Sequence, residues 1–76
     1  MDDLALLGPP EIVTMILNEA RKHPECSRVR DVYVTRLTSP PGSWDYGLVF
    51  SRAYPAECYV VLGPRVADLR RRIRLK

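Results

Sequence analysis

The stretch Glu57-Cys58-Tyr59-Val60-Val61-Leu62-Gly63-Pro64-Arg65-Val66-Ala67-Asp68-Leu69-Arg70-Arg71-Arg72-Ile73-Arg74 decides how this chain is assembled. Its first part closes on an apolar run, Tyr59 to Leu62, made of residues that suit a pleated surface. Gly63-Pro64 then punctuates it, because proline has no N–H to donate and disfavours the α region at the residue before it. The stretch therefore reads as a strand over residues 57–62. A helix over 64–75 follows, opened by Pro64, with Val66, Leu69 and Ile73 at i, i+3 and i+7.

Upstream, residues 45–52 and 28–37 read as strands, and Tyr54-Pro55 separates the second from the third. Between the first two, residues 38–43 are a turn signal, with Pro41-Gly42 suited to the centre of a type II turn. Residues 9–22 read as a helix: Pro9-Pro10 occupy the first turn, and Ile12, Val13, Ile16, Leu17 and Ala20 share one face. His23, standing before Pro24, ends it.

The predicted order is α-β-β-β-α, an α+β domain with a three-stranded antiparallel meander and both helices packed on one face. Residues 9–76 make that single domain, and residues 1–8 a flexible or loosely packed leading segment. A period of two assigns Val32, Val34, Tyr46, Leu48, Phe50, Cys58, Val60 and Leu62 to the covered face. Asp31, Tyr33, Thr35, Gly47, Val49, Ser51, Tyr59 and Val61 fall on the open one.

Composition limits what such a domain does. Seventy-six residues suffice for one small core, and 46% hydrophobic with 28% charged residues is a globular balance. The longest apolar runs fall far short of the ~20 residues a membrane span needs. The N-terminus is acidic where a signal peptide is basic, so a cytoplasmic location is expected. Cys26 and Cys58 are too few for a disulfide framework. With Cys58 on the third strand and Cys26 just before the first, two strand spacings (~9.6 Å) exceed the ~7 Å reach of a bridge, so free thiols are expected.

Charge is divided along the chain. Residues 65–76 carry Arg65, Arg70, Arg71, Arg72, Arg74 and Lys76 against Asp68, while the remainder has eight acidic and six basic groups. Clustered cations neutralise phosphates and release counterions, which makes these six residues the candidate surface for nucleic acid or another acidic partner. The bland alternative is a solvated helix end whose cations complement the macrodipole. Tyr33 and Tyr59, if on the open face, could stack on unpaired bases or seal an interface with a second copy or another protein. Trp44, beside the turn, fits better as a lid on the core's edge than as an exposed anchor.

Chemistry-bearing motifs are sparse. His23-Pro24-Glu25 matches the H-x-E of zinc deaminases, but the later P-C-x-x-C they need is missing. His23, Cys26 and Cys58 fall short of a closed zinc site. A Cys26–His23 pair would share a wet, proline-containing loop without a third group to orient it. There is no phosphate loop and no G-x-G-x-x-G. The expectation is a non-enzymatic module with no metal, cofactor or membrane partner, binding nucleic acid or, alternatively, protein.

Over residues 9–75 the predicted order resembles the double-stranded-RNA-binding domain. That family opens its last helix with a K-K-x-A-K run, where this chain has Arg65-Val66-Ala67-Asp68-Leu69. Its first hairpin presents a G-P-x-H-type loop, where this chain has Pro41-Gly42-Ser43-Trp44. The resemblance implies the fold; both departures fall on the surfaces that would touch RNA.

Overall fold

The computed structural model describes residues 5–51 and 56–76, so the Tyr54-Pro55 break and the end of the second strand at residue 52 lie outside it. In chain order the elements are β1 (Ala5–Leu7), α1 (Pro9–Ala20), β2 (Val29–Arg36), β3 (Trp44–Phe50), α2 (Ala56–Arg72) and β4 (Ile73–Leu75). A 3-10 turn at Pro24–Cys26 links α1 to β2.

Helix α1 forms as its sequence dictates. Gly8 caps it in an extended conformation, Pro9 and Pro10 fill positions that need no donor, and Glu11 sits in the first turn. Its apolar stripe buries Ile12, Ile16 and Ala20. His23 adopts an extended conformation before Pro24, and the helix has ended by then. Strands β2 and β3 pair antiparallel, with Val32 opposite Leu48, Tyr33 opposite Gly47 and Arg36 opposite Trp44. A bulge lies between Val29 and Asp31.

The deciding stretch folds otherwise than its punctuation suggests. Residues 57–62 are not a strand: α2 is one helix of 17 residues with Pro64 inside it. Buried Cys58, Leu62 and Val66 recur at i, i+4 and i+8, a helical period that continues through the proline. Pro64 cannot donate to the Val60 carbonyl, but Val60 is 72% exposed, so this oxygen lies on the wet side of the helix. Gly63 removes the Cβ that would otherwise clash with the proline ring, and the space beside it is open.

Several expectations change with that helix. The three-stranded meander gives way to two two-stranded sheets, β2–β3 antiparallel and β1–β4 parallel. The α+β class stands, but the order over the described residues is β-α-β-β-α-β, which departs from the α-β-β-β-α order of the double-stranded-RNA-binding domain. The last helix ends at Arg72, and residues 73–75 pair with residues 5–7 as β4. Val60 faces solvent instead of the core.

Cys26 and Cys58 are not free thiols. They form a disulfide with Cα atoms 4.8 Å apart, spanning 32 residues of sequence. The expectation of two strand spacings fails with the strand itself: α2 starts beside the 3-10 turn, and its first inward residue meets Cys26. Both cysteines belong to a single core with Ile12, Ile16, Val32, Trp44, Leu48, Leu62, Val66, Ile73 and Leu75. The hairpin's inner face and one stripe of each helix thus close on one another.

Candidate functional site

The turn between β2 and β3 is built as its residues require. The Ser43 N–H donates to the Pro40 carbonyl at 3.1 Å, enclosing Pro41 and Gly42, and Gly42 takes φ 82°, the left-handed value of a type II turn. The turn is also an anchor. The Leu75 N–H donates to the Gly42 carbonyl at 2.8 Å, and the Arg74 stem lies where a Cβ on Gly42 would come within 3.2 Å. Trp44, 1% exposed, donates its indole N–H to the Ile73 carbonyl at 3.0 Å. Turn, β3, β4 and the end of α2 are thereby fixed against each other.

Between them runs an open groove of about 700 Å3, lined by Ser43, Trp44, Ala67, Arg70, Arg71, Arg72 and Arg74. Ala67, Arg70 and Arg71 recur at i, i+3 and i+4 on one side of α2, and Arg74 continues the row on β4. The arginines are only lightly engaged. Arg70 lies 3.7 Å from the Asp45 carboxylate, and Arg71 and Arg72 both donate to Asp68. Arg74 donates one N–H to the Arg70 carbonyl at 3.1 Å, capping the helix end. Exposed pairs of this sort contribute about 0–1 kcal/mol, so an incoming anion displaces them at small cost.

A second groove, about 640 Å3, lies on another side of α2 and includes Glu19, His23, Arg65, Asp68 and Arg72 in its lining. Here the charges compensate. His23 Nε2 lies 3.3 Å and Lys22 Nζ 3.6 Å from the Glu19 carboxylate. Burial works to raise the pKa of Glu19, but His23, Lys22 and Arg65 outweigh it and hold the carboxyl below its ordinary value of 4.5.

Of the six cationic candidates, Arg70, Arg71, Arg72 and Arg74 meet in one groove. Arg65 belongs to the other groove, beside Glu19. Lys76 follows β4; its N–H donates to the Leu7 carbonyl at 3.0 Å, and its own carbonyl accepts from Arg36. Sequence reasoning missed Arg36, which the hairpin register sets opposite Trp44 at the same end of the molecule. It missed Asp45 as the acid that meets Arg70.

The two tyrosines part company. Tyr33 is on the open face, 56% exposed, its ring tip over Gly47. Tyr59 is not an open-face residue: it rides on α2, packs against the rings of Tyr46 and Phe50, and its hydroxyl accepts the Leu48 N–H at 3.1 Å.

Among the described residues, no group of three or more His, Cys, Asp or Glu side chains is placed to hold a metal ion. No helix among them is long and apolar enough to cross a membrane. No protein-family model, curated protein or solved structure matches the chain.

Proposed function

We propose that this chain is a small non-enzymatic binding module whose arginine groove holds the phosphate backbone of a nucleic acid. One observation carries the reading: four arginines line one groove, and among its described lining residues there is no carboxylate, Asp45 and Asp68 meeting three of the arginines from outside it. Guanidinium groups present paired donors that match phosphate oxygens, and the groove is open to solvent. Lys76 and Arg36 extend the positive charge beyond the groove.

Protein association through a strand edge is the weaker reading, because part of the hairpin's outer edge is already engaged. The Val32 N–H donates to Asp31 and the Tyr46 N–H to Asp45, each at 2.8 Å, and the Leu48 N–H to Tyr59. They are three of the hairpin's outward-pointing donors, the kind a partner strand would use.

The test is a fluorescence-anisotropy titration of labelled RNA and DNA at 50 and 200 mM salt. Four phosphate contacts predict an affinity loss of about 50- to 150-fold over that range. Replacing Arg70, Arg71, Arg72 and Arg74 with glutamine should abolish binding. Absence of binding by the wild-type chain at low salt overturns the proposal.

A further inference from the structure

Beyond the groove, the outer face of the hairpin has an unusual centre. Gly47 is buried because the ring tip of Tyr33 occupies the place a Cβ would take, 2.0 Å from the Tyr33 Cζ atom. The ring reaches across to the neighbouring strand, and Tyr33 keeps 56% of its surface exposed, so aromatic surface stays accessible to a ligand. Along the same face Asp31 lies opposite Val49, and Thr35 opposite Asp45. The Arg70 guanidinium, 3.7 Å from the Asp45 carboxylate, joins this face to the arginine groove. From Asp45 to Gly47 is one pleat repeat, about 7 Å, a stride comparable to that between successive nucleotides of an extended strand.

Resting on the nucleic-acid reading above, we infer that the ligand is single-stranded, with one unpaired base stacked on Tyr33 while its phosphates run through the arginine groove. A duplex keeps its bases stacked inside and has none to offer this ring, whereas a single strand does. The surroundings also select among bases. Asp31 and Asp45 stand on this face to either side of the Tyr33–Gly47 pair; Oδ1 of each accepts a backbone N–H, which leaves Oδ2 to accept from an exocyclic amino group such as cytosine N4. Thymine and uracil present a carbonyl oxygen there, which a carboxylate repels. The same two carboxylates keep phosphates off the face, so the strand enters with its base turned inward.

The experiment compares oligo(dC), oligo(dT) and a mixed-sequence duplex of equal length by anisotropy, for the wild-type chain and Tyr33→Leu, Tyr33→Phe and Asp31→Asn variants. Leucine still covers Gly47 but has no π-face, and phenylalanine keeps the face without the hydroxyl. The expected result is a loss of about 5- to 150-fold for oligo(dC) with Tyr33→Leu, none with Tyr33→Phe, and duplex binding unchanged by either. Wild-type chain should prefer oligo(dC) to oligo(dT), and Asp31→Asn should narrow that preference. Equal losses for duplex and single strand, or tight single-strand binding indifferent to Tyr33→Leu, overturn this inference while leaving the groove reading intact. No binding of any of the three at low salt overturns both.

Discussion

Two grooves share helix α2 and even share Arg72, yet they differ in what they can hold. One sets Arg65 and Arg72 against Glu19 and Asp68, so its charges are matched within the protein. The other gathers Arg70, Arg71, Arg72 and Arg74, with Asp45 and Asp68 reaching them only from the margins. The difference teaches that a run of arginines becomes an anion site by the placement of carboxylates on neighbouring elements. α1 supplies Glu19 to one side of α2, whereas Ser43 of the turn and Trp44 at the start of β3 lie on the other.

The largest effect should come from the covalent tie that seats the start of α2 beside the 3-10 turn. Reduction, or Cys26→Ser with Cys58→Ser, removes a bridge closing 32 residues and should cost about 4 kcal/mol, read by urea denaturation with and without reductant. An unchanged midpoint would mean that packing alone positions the helix. Next, Arg70→Gln, Arg71→Gln and Arg74→Gln together should weaken oligonucleotide binding about 100-fold, on the order of 1 kcal/mol for each exposed contact. Arg65→Gln, in the compensated groove, should change it less than twofold, and equal effects would erase the distinction.

Pro64→Ala should stabilise the protein by about 2 kcal/mol, because it restores a donor within a continuous helix. A fall in thermal midpoint would place a true helix break there. The smallest effect belongs to Glu19. Its carboxyl is held below 4.5, so the stability it adds is present above that value and is lost as pH falls through its folded value. Glu19→Gln should remove a few tenths of a kcal/mol at neutral pH, in keeping with partly exposed pairs, and flatten the acid limb of the denaturation profile.

Residues 9–50 were legible because local preference and tertiary packing agree there. Pro9-Pro10, the Ile12/Ile16/Ala20 stripe, the alternation through β2 and β3, and Pro41-Gly42 each specify one conformation, and each adopts it. Residues 56–76 were not, because Gly63-Pro64 argues for a break while Cys58, Leu62 and Val66 argue for a helix, and burial of three side chains outweighs one lost hydrogen bond. The free-thiol expectation for Cys26 and Cys58 followed from that misreading. The arginine cluster was visible as composition, but its division into two grooves was not, since it depends on Glu19, Asp45 and Trp44, which lie far away in sequence. Arg36 gave no local signal at all; only the register to Trp44 brings it to that end.

The most direct test of the arginine groove is the salt dependence of single-strand affinity, measured for wild type, Arg65→Gln and Arg70→Gln side by side. Four phosphate contacts predict a slope of log affinity against log salt near −3 for wild type and for Arg65→Gln, reduced in magnitude by about 0.7 for Arg70→Gln. A slope near zero, or the same reduction from Arg65→Gln as from Arg70→Gln, would contradict the account.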